Sequence, residues 1–191
     1  MRSTYKENKW KENFEYAESM KGRYQNLLNM LDEIQKLAPQ WGGVESVLDL
    51  GCGIQYLREL ISENVKYVGV DLYPHKPDTI ICDFNKKQFI DCEDKFDAVF
   101  LAGVLEYIYD IKWLLKKISR ISCKFFCCTY NFEDYAFKKA DIWVNLMSVN
   151  RFLDIANKNG FRLVKFDTFS EGQMTYMIFV KKEWGTEAFK L

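Results

Sequence analysis

The spacing of apolar positions changes several times along the 191-residue chain. At the start they recur every three or four residues, first Trp10, Phe14 and Ala17, then Tyr24, Leu27, Leu28, Leu31, Ile34 and Leu37. That spacing lines one face of a helix, so residues 1–38 read as helical. Pro39 ends the pattern, because it has no N–H to donate and its ring blocks the preceding turn. Beyond Trp41-Gly42-Gly43 the helical period gives way to short unbroken apolar runs ending near Leu50, Val70, Cys82 and Leu101. Runs apolar at every position fit strands buried on both faces, the condition inside a parallel sheet. Parallel neighbours need crossovers, and a helical segment of roughly a dozen residues is expected between the first two. The stretch Leu72–Asp78 holds Pro74 and Pro77 and is too interrupted for a full helix. Asp110 then caps a helix with Ile111, Leu114, Leu115 and Ile118 on its inner face. Lys124–Tyr130 reads as a fifth strand, and Ser148 heads a helix that buries Phe152, Leu153, Ile155 and Ala156 and stops at Gly160. The last two runs, Phe161–Phe169 and Gln173–Lys182, are joined only by Ser170-Glu171-Gly172. So short a link makes them antiparallel.

Chemistry gathers at the ends of the early strands. The first run closes as Asp49-Leu50-Gly51-Cys52-Gly53, and a helix-like stretch begins at Tyr56. Strand, glycine turn and helix in that order bring backbone N–H groups to the strand's carboxyl end, where a ligand can lie against bare backbone. The second run ends at Asp71, 18 residues after Gly53. That is close to the roughly 20 expected between a glycine loop and a ribose-binding acid. The third ends at Asp83-Phe84. Acids at strand ends also cap the turn that follows, so a structural role stays open for Asp71 and Asp83.

The ordered set VLDLGCG, YVGVDLYP, IICDFN and FDAVFLAGVLEYI resembles the class I S-adenosylmethionine-dependent methyltransferases, over about Val47 to Lys182. The resemblance implies a three-layer, Rossmann-like α/β fold with a seven-stranded, mainly parallel sheet and an antiparallel last strand. It implies a single domain in which residues 1–40 form a helical cap, 44–182 the catalytic core and 183–191 a tail. Asp49, Gly51, Cys52 and Gly53 would form the loop under the methionine end of the cofactor. Asp71 would hold the ribose hydroxyls, with Leu72 against the adenine. Asp83 would accept from the adenine amino group, Phe84 would flank it, and Leu101 would line the cofactor at the end of the fourth strand. Glu106 and Tyr107 are the best-placed candidates for a catalytic base. Tyr130, Asn131 and Asp134, beyond the fifth strand, are candidates for the substrate. The first N-terminal helical stretch is expected to close over the site. One departure stands out: Gln55 occupies the place where the family often has a third glycine. A nicotinamide-binding domain also starts with strand, glycine loop, helix and acid. Its fingerprint wants a small residue where this chain has Tyr56, and it has no antiparallel last strand.

Composition narrows the partners. Lys+Arg and Asp+Glu balance at 27 each, which argues against a dedicated nucleic-acid binder. The absence of an Asn/Asp-Pro-Pro-aromatic motif after the fourth strand argues against adenine or cytosine amino groups as acceptors. Six cysteines without a C-x-x-C pair, and the lone His75, make no zinc ligand set, so no metal is expected. Unpaired thiols, no apolar leader and no membrane-length apolar run lead us to expect a cytoplasmic protein with no membrane partner. Oligomeric state leaves no mark in the sequence. The expected activity is O-methylation of a small polar metabolite, such as a sugar or nucleotide-linked compound. The alternatives are a protein or RNA methyltransferase that relies on a recognition partner, and a silent S-adenosylmethionine-binding module.

Overall fold

The computed structural model describes residues 17–91, 95–135, 141–169 and 174–185. The unbroken apolar runs become β1 (Ser46–Leu50), β2 (Lys66–Asp71), β4 (Phe96–Leu101) and β5 (Ser122–Tyr130), with a short β3 (Ile80–Ile81) at one edge. β6 (Phe161–Phe169) and β7 (Met174–Lys181) complete a seven-stranded sheet of order β3-β2-β1-β4-β5-β7-β6. The pairs from β3 through β5 are parallel, while β7 runs antiparallel to both β5 and β6. The fold is therefore the mainly parallel, Rossmann-like sheet with an antiparallel last strand that the resemblance implied.

Side chains alternate across the strands with period two, and this sorts the core into two halves. On one side α1 (Ala17–Leu37) lays Tyr24, Leu27, Leu31 and Ile34 against Val47, Ala98, Phe100, Phe125 and Ile178. On the other, α3 (Ile111–Ile121) and α4 (Val149–Lys158) cover Leu48, Leu50, Val99, Leu101, Phe126 and Cys128. The predicted caps form: Asp110 accepts from the Trp113 N–H at 2.9 Å, and Ser148 from the Arg151 N–H at 3.4 Å. A final short helix, α5 (Lys182–Gly185), follows β7.

Two expectations need correcting, and a third falls outside the described residues. The crossover between β1 and β2 holds only a five-residue helix, α2 (Tyr56–Leu60), because Ile61 turns extended and ends it. β3 is not buried on both faces: Ile80 and Ile81 are 43% and 58% exposed. It is an edge strand of two residues, paired among the described residues with β2 alone. The helical pattern continues to Leu37, but its first stretch, including Trp10 and Phe14, and the closing role expected of it lie outside the described residues.

Candidate functional site

The turn after β1 is built to sit low against its neighbours. Gly51 has φ +80°, its N–H donates to Val70 O at 2.7 Å, and a Cβ there would lie 2.3 Å from the Val104 side chain. Gly53 has φ +52° and open space where a Cβ would point. Its N–H donates to Asp71 Oδ2 at 2.8 Å, while Asp71 Oδ1 accepts the Tyr73 N–H at 3.2 Å. Each of these carboxylate oxygens keeps a further lone pair. The half-buried Asp71 thus joins the tip of β2 to the glycine loop and still presents acceptor capacity beside bare backbone.

Asp49 lies beneath this loop and is fully buried. Period-two alternation turns it to the α1 face, where Tyr24 and Tyr67 each donate a hydroxyl to it at 2.8 Å. Burial pushes its pKa up to about 7, against the lowering effect of the two hydroxyls. Cys52 is also buried, with its thiol pKa pushed well up by burial, and its sulfur fills the space beside Gly69. Leu72 is partly exposed at the start of the following loop. Asp83 accepts from the N–H groups of Asn85 and Lys86 at 3.0 and 3.3 Å, capping the 3₁₀ turn Phe84–Lys86. Phe84 is buried with its ring 6.1 Å from that of Phe89, and Leu101 is wholly inside the core.

Gln55 makes its own arrangement at the position of the absent third glycine. It holds φ +67° and heads α2, and its side chain is buried. Its Nε2 donates to Asp78 at 3.0 Å and to Thr79 at 3.2 Å. Arg58 donates to Gln55 Oε1 at 3.2 Å and pairs with Asp78.

Beyond the ends of β4, β5 and β7 lies a cavity of about 480 Å³. Gly22, Arg23 and Asn26 of α1 form one wall. Gly103, Glu106 and Tyr107 come from the turn after β4, Asn131 from the end of β5, Trp143 from the long connection, and Met174 and Tyr176 from β7. Glu106 is buried; its Oε1 accepts the backbone and side-chain N–H of Asn131 at 3.0 and 2.7 Å, and its Oε2 has no partner among the described residues. Burial raises its pKa, partly offset by the nearby positive charge of Arg23. The connection that carries Trp143 is pinned here by backbone bonds from Val144 and Asn145 to Glu106 O, at 2.9 and 3.3 Å. Asn145 also donates to Leu105 O and Ile108 O, both at 2.6 Å.

The structure thus brings Glu106, Tyr107 and Asn131 together and leaves two other candidates elsewhere. Tyr130 is buried between the rings of Phe132 and Phe152, and its hydroxyl donates to Asn145. Asp134 accepts from the Val149 N–H at 2.7 Å and so holds the start of α4. Neither lines the cavity: Tyr130 packs in the core and the exposed Asp134 caps a helix. Arg23, Asn26, Met174 and Tyr176 were not singled out from the sequence; a polar pair on a helix reads as its solvated face, and β7 reads as core. Among the described residues no cluster of histidine, cysteine or acidic side chains could hold a metal ion, and no helix is long and apolar enough to cross a membrane.

A family model described as a methyltransferase domain matches residues 16–166. No curated protein matches the sequence. Among solved structures, magnesium protoporphyrin IX methyltransferase from Synechocystis with bound SAH is similar at TM-score 0.60 and 13% identity, covering 84% of each chain. A putative methyltransferase of Haloferax volcanii, in complex with the Trm112 methyltransferase activator, is similar at TM-score 0.61 and 14% identity over 83% of this chain and 93% of that one. An S-adenosylmethionine-dependent methyltransferase from Clostridium acetobutylicum gives TM-score 0.61 and 12% identity over 78% and 89%.

Proposed function

The chain belongs to the methyltransferase domain family, and from that premise we propose that it methylates an oxygen of a small polar metabolite, such as a sugar or nucleotide-linked compound. S-adenosylmethionine is the cofactor, and when bound it supplies a methyl group on a sulfonium, open to in-line attack by a nucleophile. The residues at the sheet edge fit it. Asp71 retains lone pairs for two ribose hydroxyls, and the open face of Gly53 lets the chain of the cofactor lie against backbone. Asp83 and Phe84, at the end of β3, are proposed to flank the adenine, with Leu72 opposite. Asp49, Gly51 and Cys52 act from below, setting the path of the loop, and Leu101 closes the core under it.

The observation that carries the small acceptor is the cavity of about 480 Å³, within the range of ordinary small-molecule sites. Glu106, on its wall, is the proposed base. Asn131 fixes Oε1, and Oε2 is left to take the proton of an attacking hydroxyl. Burial lifts its pKa above the usual carboxylate range, which makes the carboxylate a stronger base toward that proton. Tyr107, on the same wall, is proposed to orient the acceptor. Calorimetric titration with S-adenosylmethionine and with NAD, followed by transfer of labelled methyl to a panel of sugars and nucleotide sugars, tests the reading. Binding of NAD in place of S-adenosylmethionine would overturn it. Retained binding with no transfer would leave a silent module.

A second reading adds a recognition partner. It draws support from the bare edge of β3, where Ile80 and Ile81 stand exposed, since an open strand edge invites another strand to pair. The Haloferax volcanii neighbour, solved with an activator, is in keeping with it. Loss of a co-purifying protein on Ile81→Lys would favour this reading.

A further inference from the structure

Resting on the methyltransferase reading, we propose that the acceptor is an anionic hydroxy compound, with its carboxylate or phosphate on Arg23 and the hydroxyl to be methylated toward Glu106. Arg23 and Glu106 bear opposite charges on the wall of one cavity. They are near enough for the arginine to lower the pKa of the acid, yet they form no ion pair. Glu106 is committed on one side, where Asn131 gives it two N–H groups. Arg23 has no such commitment: among the described residues its guanidinium enters no ion pair and no side-chain hydrogen bond. A guanidinium is a planar fork of donors whose shape matches an oxyanion bidentately.

The backbone makes room for this side chain. Gly103 has φ +70°, and a Cβ there would lie 2.0 Å from Arg23 Nη1. The guanidinium is seated in the space that a side chain at 103 would fill, directly on the turn that carries Glu106. Asn26, one turn further along α1, adds an amide to the same wall. Trp143 and Tyr176 present ring surface for the carbon skeleton between the two polar ends. An acceptor held this way is oriented before reaction, because reversing it would set an anion against a buried carboxylate. In the transfer itself, the new O–CH₃ bond forms as the S–CH₃ bond breaks. The hydroxyl proton passes to Glu106 Oε2, and the cofactor leaves as the neutral thioether.

The test uses protein saturated with S-adenosylhomocysteine and labelled at its methionine methyls. It is titrated with 4-hydroxybenzoate against 4-hydroxybenzamide, and with glucose 6-phosphate against glucose. At least one anion should bind about tenfold or more tightly than its neutral counterpart and shift the Met174 methyl resonance; which pair does so separates carboxylate from phosphate. Arg23→Gln should abolish that preference while leaving S-adenosylhomocysteine affinity within about twofold. Gly103→Ala, which keeps the charge but displaces the guanidinium, should reduce it as well. The proposal is overturned if neither anion is preferred, if Met174 does not respond, or if Arg23→Gln keeps the preference. Loss of S-adenosylhomocysteine binding in Arg23→Gln alone also overturns it, since Arg23 would then serve the cofactor. Failure of the parent protein to bind S-adenosylhomocysteine would instead remove the methyltransferase reading on which it rests.

Discussion

Asp49 shows how one buried charge ties local chemistry to pH. Burial lifts its pKa from 3.8 to about 7, so the folded protein holds a proton that the unfolded chain has already released. The stability from this group is full below about pH 4 and is lost as pH rises through about 7. Between pH 5 and pH 8 the loss amounts to about 2–3 kcal/mol. Asp49→Asn cannot ionise, so its unfolding free energy should gain on that of the parent by about this much across the same interval, measured by urea denaturation. Asp71 makes a contrasting case at the tip of the next strand. Its carboxylate is half-buried, and in the proposed role it accepts ribose hydroxyls; charge-assisted hydrogen bonds of that kind are worth about 1.5–3 kcal/mol. Asp71→Asn should weaken S-adenosylhomocysteine binding roughly ten- to a hundredfold by calorimetry, with a much smaller effect on the melting temperature.

Among the elements, the glycine loop and the loop after β2 are joined by a side chain at the position where the family often has a glycine. Gln55 keeps a left-handed backbone, which costs a non-glycine residue about 1–2 kcal/mol. In exchange its amide reaches Asp78 and Thr79 and is braced by Arg58. Gln55→Ala would lose the bonds and keep the strain, whereas Gln55→Gly would lose the bonds and shed the strain. Both should unfold at lower urea than the parent, with the glycine variant the more stable of the two by about 1 kcal/mol. This arrangement was not legible in the sequence, because a glutamine after Gly-x-Gly carries no sign of which loop it will reach. The short α2 was hidden for a similar reason: Leu60 and Ile61 continue an apolar pattern although the backbone has already turned extended.

For the whole molecule, the inner strands and the terminal hairpin could be read from the chain, since unbroken runs such as Phe96–Leu101 and a three-residue link leave few alternatives, whereas the order of the strands in the sheet could not. The cavity could be read only in part. Glu106, Tyr107 and Asn131 follow strands and so announced themselves, but α1 looked like a packing helix and also supplies Arg23 and Asn26. The same helix sends Tyr24 to Asp49 under the glycine loop. Ligand at the sheet edge should therefore slow α1 opening, and hydrogen exchange should show its amides near Arg23 and Tyr24 more protected with S-adenosylhomocysteine bound. The position of β7 has a consequence for synthesis. It is translated after β6 yet lies between β5 and β6, so on the ribosome β5 waits with one ladder of backbone groups unpaired. The nascent chain can assemble the parallel half of the sheet early, but residues 174–181 must clear the exit tunnel before Phe125–Tyr130 gain their second neighbour. Until then that open edge is a natural docking point for chaperones, and ribosomes stalled before Met174 should release chains that aggregate.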